Sequence, residues 1–179
     1  INMKRVPLSE IGAGGKDIII DDQNIWLEPM KEFGISCKIL TPLTAKVFLS
    51  MQDEGCLVRG TITGSVLVPC NRCNADTQIE LNYSFDEFEE IIFSQTEEKE
   101  DNLLDVQVVI WQDGKLYLDL AALLWEEFSL AVPVKPLCKK DCKGLCPKCG
   151  KNLNEGDCGC PSFEGDPRLA ALRQFKVRQ

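Results

Sequence analysis

Histidine is absent from this 179-residue chain. That removes the most frequent general base, the usual partner of a serine or cysteine nucleophile, and the nitrogen ligands of most catalytic zinc sites. No run of 18 or more apolar residues occurs, so no segment is long enough to cross a bilayer as a helix. The start reads Ile1-Asn2-Met3-Lys4-Arg5-Val6-Pro7 and turns polar and glycine-rich by residues 12–16, which is not the charged-then-apolar order of an export signal. Aromatic residues are few, at 7%, and only Phe163 and Phe175 follow residue 135. That region therefore lacks a stacking platform for single-stranded bases. The expectation is a cytoplasmic protein that is not an enzyme, takes no small-molecule substrate and does not enter a membrane.

What is abundant is cysteine, with ten residues. In a reducing compartment such a count points to metal rather than to disulfides. Six fall together as Cys138-x3-Cys142-x3-Cys146-x2-Cys149-x8-Cys158-x-Cys160, and Cys70-x2-Cys73 lies far upstream. Zinc takes four tetrahedral ligands, and two cysteines two to four residues apart chelate one ion from a single turn. In Cys146-Pro147-Lys148-Cys149-Gly150 the glycine permits positive φ, which lets backbone N–H groups turn towards the sulfurs. Cys70-Asn71-Arg72-Cys73-Asn74 is analogous, because asparagine tolerates the left-handed conformation. The preferred partition is two structural Zn2+ sites. Cys70 and Cys73 would join Cys138 and Cys142, and Cys146 and Cys149 would join Cys158 and Cys160. A single site from Cys142, Cys146, Cys149 and one of Cys158 or Cys160 is the competing arrangement, and spacing leaves both open. Cys37 and Cys56 sit in or beside strand-like segments and read as ordinary buried thiols. A redox Cys-x-x-Cys would follow a strand and open a helix, and neither pair does. A closed set of four thiolates leaves no open position for catalysis.

Hydrophobic periodicity organises the rest. Short strands are expected around Val6 and residues 18–20. Ala45, Val47, Leu49 and Met51 alternate with more polar neighbours, as in a half-buried strand. After the turn at residues 52–55, residues 56–68 place Val58, Ile62, Val66 and Val68 on one face and Arg59, Thr61, Thr63 and Ser65 on the other. Residues 77–88 do the same with Ile79, Leu81, Tyr83 and Phe85. Asp113-Gly114 suits a hairpin between residues 106–111 and 115–118. Asp119 caps a helix over 120–131, with Leu120, Leu123, Leu124 and Phe128 inward and Glu126 and Glu127 facing water. The fold class is α+β: an antiparallel meander or barrel-like sheet with a packed helix and a C-terminal zinc-thiolate appendage. Three parts follow: residues 1–134, a cysteine-rich segment 135–165 that needs metal to fold, and a short basic helix 166–179 carrying Leu169, Leu172 and Phe175.

The net charge of −8 is local in origin. Residues 86–101 hold eight acidic side chains against the single Lys99, the composition of a solvated face. By contrast Lys135, Lys139, Lys140, Lys143, Lys148 and Lys151 face only Asp141 within their stretch. Together with Arg168 they form a patch suited to phosphate backbones. Zinc with four thiolates is formally −2, so some of these lysines also balance the metal cores.

The run from Leu137 through Cys138-Lys139-Lys140-Asp141-Cys142-Lys143-Gly144-Leu145-Cys146-Pro147-Lys148-Cys149-Gly150-Lys151-Asn152-Leu153-Asn154 resembles the tail of the YceD family, the large ribosomal RNA subunit accumulation proteins. The resemblance continues in Cys158-Gly159-Cys160 and Asp166-Pro167-Arg168-Leu169. Upstream it extends to Cys70-Asn71-Arg72-Cys73 and to Asp119-Leu120 with the helix ending before Pro133. It implies a non-catalytic role in 23S rRNA processing or accumulation and large-subunit biogenesis. The implied partners are precursor 23S rRNA or a large-subunit ribosomal protein, met by Lys139, Lys140, Lys143, Lys148, Lys151 and Arg168. The alternative is a zinc-stabilised adaptor that binds protein and touches no RNA.

Overall fold

Strict apolar–polar alternation dictates the largest element of the fold. In the computed structural model, which describes residues 5–91 and 108–161, three long strands follow one another. They are β3 (Lys38–Gln52), β4 (Gly55–Pro69) and β5 (Asp76–Glu90). They pair antiparallel in chain order, with β2 (Lys16–Ile20) added beside β3. Register places Ala45 opposite Ile62 and Ile62 opposite Tyr83, so one face collects the apolar residues. Leu43, Ala45, Leu49, Val58, Ile62 and Val66 are wholly buried there. The meander expected from the sequence is present. One residue departs from the expected alternation: Ser65 is buried, and its hydroxyl pairs with Thr41 Oγ1 at 2.9 Å.

A second sheet has the order β1–β7–β6, built from β1 (Arg5–Pro7), β6 (Val109–Gln112) and β7 (Lys115–Asp119). Asp113 and Gly114 turn between β6 and β7 with φ of 49° and 75°, the paired positive values that a two-residue hairpin of matching twist requires. Among the described residues both sheets are open, so the barrel-like description is a loose one.

Asp119 ends β7 and caps α2 (Leu120–Ala131), its carboxylate accepting from Ala122 N–H at 3.1 Å. Leu120, Leu123, Leu124 and Phe128 are buried as expected. Glu127 is a correction: it is 3% exposed rather than water-facing. A 12-residue helix lying on a sheet buries more than a narrow stripe, and position 127 shares the covered arc with 120, 123 and 124. Helix α1 (Asn24–Glu32) was hidden from periodicity by Pro29 within it. A proline at that position normally weakens a helix; here burial of Ile25, Trp26 and Met30 offsets the loss. Gln23 anchors its start, with its side-chain amide donating to Leu43 O and accepting from Leu43 N–H, both at 2.9 Å. Trp26 of α1 meets Phe128 of α2 at 5.5 Å between ring centroids, and Phe33 at the end of α1 stacks on Trp125 of α2 at 6.1 Å, so the two helices lock through aromatic rings.

Burial, then the charge of Glu87, raises the carboxyl of Glu127 above the ordinary carboxylate range. The group binds its proton more tightly folded than unfolded. It therefore favours the fold at low pH and loses that contribution as pH rises through its folded value. Glu127→Gln is expected to raise the melting temperature at neutral pH, with the gain over wild type shrinking on acidification. Paired thermal melts across pH check this.

Two connections position the cysteines. The six residues between Pro69 and Asp76 cap the tip of the β4–β5 hairpin. From the end of α2 the chain returns to that tip, where Asn71 N–H bonds Pro136 O at 2.8 Å. Residues 92–101 of the acidic window, the start of the 106–111 strand, the basic helix 166–179 and Arg168 lie outside the described residues. Among the described residues no helix is long and apolar enough to cross a membrane.

Candidate metal centre

The two Cys-x-x-Cys segments have different sequences and fold into the same turn. Cys70 N–H bonds Ala75 O at 2.8 Å, as Cys146 N–H bonds Lys151 O at 2.8 Å. Asn74 N–H returns to Cys70 O, and Gly150 N–H to Cys146 O, both at 2.9 Å. The N–H two residues after each first cysteine points at its sulfur: Arg72 to Cys70 Sγ at 3.5 Å and Lys148 to Cys146 Sγ at 3.4 Å. Asn74 (φ 58°) and Gly150 (φ 73°) supply the left-handed residue that closes each turn, as the sequence led us to expect. A turn that aims backbone donors at sulfur serves a thiolate, because a neutral thiol gains little from them.

Each turn then meets two further cysteines. Cys70, Cys73, Cys138 and Cys142 form one group and Cys146, Cys149, Cys158 and Cys160 the other, with all sulfurs of a group within 4.8 Å of one another. Cys70 Sγ lies 3.8 Å from Cys142 Sγ and Cys73 Sγ 3.6 Å from Cys138 Sγ. These separations are far above the roughly 2.05 Å of a disulfide. They match the edge of about 3.8 Å that a tetrahedron with zinc–sulfur bonds of about 2.3 Å would have. The grouping is the preferred partition of the sequence, and the single mixed site is not the one assembled. Cys37 is half-buried just before β3 and Cys56 is buried in β4; neither joins a group.

The electrostatics of each group call for a cation. Backbone N–H groups of Cys138 and then Arg72 and Cys73 draw the Cys70 thiol down to about 6. N–H groups of Cys149 and Lys148 do the same for Cys146, also to about 6. The Asn154 side chain lowers Cys142. Cys138 moves the other way, pushed up to about 12 by burial and then by the sulfurs of Cys73 and Cys142. Cys160 is likewise pushed up to about 12, by Cys149 and Cys158. Each group thus holds at least one thiol drawn down and one pushed up, because like charges at contact repel. A dication at the centre removes that repulsion, and a soft all-sulfur donor set suits zinc or iron.

Five of the lysines singled out in the sequence fall between Cys138 and Cys158 along the chain. Lys139, Lys140, Lys143, Lys148 and Lys151 are all exposed. None of the five has an ion-pair partner among the described residues, although Lys151 Nζ donates to Asp157 O at 2.9 Å. Two residues escaped the sequence reading. Arg72 Nη1 donates to Cys142 O at 2.9 Å, and Asn154 Nδ2 donates to Cys142 Sγ at 3.3 Å. Their only signal was position: one lies inside a Cys-x-x-Cys, the other between ligand pairs.

A family model described as large ribosomal RNA subunit accumulation protein YceD matches residues 58–176. The uncharacterized protein YlbN of Bacillus subtilis is 27% identical over 86% of this chain and 86% of its own length. An uncharacterized protein of Mycobacterium tuberculosis is 31% identical over 67% of this chain and 55% of its own length. The large ribosomal RNA subunit accumulation protein YCED homolog 1, chloroplastic, of Arabidopsis thaliana is 25% identical over 76% and 49%. The chain thus spans about half the length of the mycobacterial and plant relatives. No solved structure matches it.

Proposed function

This chain belongs to the YceD family of large ribosomal RNA subunit accumulation proteins, and from that premise we propose that it is a non-catalytic factor for 23S rRNA accumulation and large-subunit biogenesis. In this reading Cys70, Cys73, Cys138 and Cys142 hold one structural zinc ion, and Cys146, Cys149, Cys158 and Cys160 hold a second. The ions fix segment 135–165, which has too few apolar residues to fold by burial, against the sheet and helices of residues 1–134. The basic C-terminal segment 166–179 forms the third part.

The observation that carries the reading is the set of five exposed lysines without an ion-pair partner among the described residues, on a segment otherwise given over to thiols. Lysine is compact, strongly hydrated and suited to phosphate as a point charge. Lys139, Lys140, Lys143, Lys148, Lys151 and Arg168 would neutralise backbone phosphates of precursor 23S rRNA and release counterions. Four closed thiolates around each ion leave no position for substrate or water, so the zinc serves architecture.

The test is the ratio of mature 23S to 16S rRNA in cells lacking the protein, complemented by wild type or by Cys146→Ser/Cys149→Ser. The expected result is a fall in 23S that only wild type restores. An unchanged ratio would contradict the proposal.

A further inference from the structure

The two thiolate groups are separate in sequence but joined in space by a short set of bonds. Leu145 N–H bonds Arg72 O at 3.1 Å, linking the approach to the second group with the turn of the first. Leu153 N–H bonds Gly144 O at 2.9 Å, and Leu145 pairs with Asn152, so residues 144–153 form a small hairpin around Cys146 and Cys149. Asn154 follows immediately. Its Oδ1 accepts from Lys143 N–H at 2.9 Å, and its Nδ2 reaches Cys142 Sγ at 3.3 Å while also donating to Asn152 Oδ1 at 2.8 Å. Cys142 is 2% exposed, so its sulfur has little water to bond. Asn154 itself lies between Cys149 and Cys158, two members of the other group.

We propose that Asn154 is a positioning residue that couples the two metal sites: the loop closed by the second ion delivers an amide donor to a thiolate of the first. This rests on the zinc reading given under Proposed function. A side-chain N–H to a metal-bound thiolate spreads its charge and fixes its direction, and loss of such partners costs 10- to 100-fold in metal affinity in other proteins. Chain topology makes the dependence run in this direction. The second group is local, all within residues 146–160. The first must bring together cysteines 65 and 72 positions apart, at a greater loop-closure cost. The local site therefore stands without the distant one, while the distant one draws support from the local.

The experiment uses the full zinc-loaded chain and follows transfer of zinc to a chromogenic chelator in wild type, Asn154→Ala and Asn154→Asp. Each is compared in the intact chain and in a Cys70→Ser/Cys73→Ser background, where only the second group remains. Asn154→Asp keeps an oxygen for Lys143 N–H but presents an acceptor to sulfur. Both variants are expected to speed loss of one ion about 10-fold or more, to leave the other unchanged, and to do nothing in the background lacking the first group. Emptying the second group with Cys158→Ser/Cys160→Ser is expected to speed loss from the first likewise. Equal release in all chains, wild-type rates restored by aspartate, or the same acceleration persisting in the Cys70→Ser/Cys73→Ser background would each overturn the coupling. A wild-type chain that binds no metal would instead overturn the zinc reading beneath it.

Discussion

Serine at Cys70 and Cys73 is expected to release one of two zinc ions and free the tail from the sheet, while the sheet and helices keep their cooperative melt. The reason lies in how burial is divided. The main core gathers β2–β5, β7, α1 and α2 around Trp26, Leu49, Ile62, Leu118 and Phe128. A separate small cluster holds only Cys70, Cys73 and Cys142, with Ala75 and Leu137 beside it. None of the eight grouped cysteines belongs to the large cluster. Structural zinc contributes apparent binding energies of about 10–16 kcal/mol in small thiolate domains at neutral pH. Apolar contact from Ala75 and Leu137 is far too small to replace that, at about 25 cal/mol per Å2 buried. Limited proteolysis should therefore open the chain between residue 132 and Cys142 in the variant and not in wild type. A melt shifted by tens of degrees would show instead that the sites hold up the whole fold.

The second large effect concerns charge. Replacing Lys139, Lys140 and Lys143 by alanine removes three exposed cations that have no ion-pair partner among the described residues. If each meets a phosphate, the slope of log affinity for 23S rRNA against log salt falls by about 0.7–0.9 per contact, or roughly two to three for the triple variant. Binding at low salt should weaken most, with zinc content and melting unchanged. A slope that does not move would assign the lysines to balancing the thiolate cores and would favour an adaptor that meets a ribosomal protein.

The meander and the two Cys-x-x-Cys turns were legible in the sequence for the same reason, being set by local, repeating chemistry, whereas spacing left the partition of the thiols open. Ala45, Val47 and Leu49 alternate because a half-buried strand requires it, and a Cys-x-x-Cys followed by Asn74 or Gly150 closes one recognisable turn. Helix α1 was not legible, because Pro29 interrupts the pattern that Ile25, Trp26 and Met30 would otherwise announce, and tertiary burial supplies what local propensity lacks. Glu127 misled for the opposite reason. A carboxylate beside Glu126 reads as solvated face, and only packing reveals that its position on α2 turns inward. Asn154 could not be found from spacing, since its role depends on the approach of a loop to a sulfur twelve residues earlier.

Elemental analysis of the purified, unmutated chain, with a count of alkylatable thiols before and after chelation, tests the account most directly. Two zinc ions per chain are expected, with eight thiols protected until the metal is stripped and only Cys37 and Cys56 independent of it. Eight thiols that react freely in a metal-free, fully folded chain would contradict it.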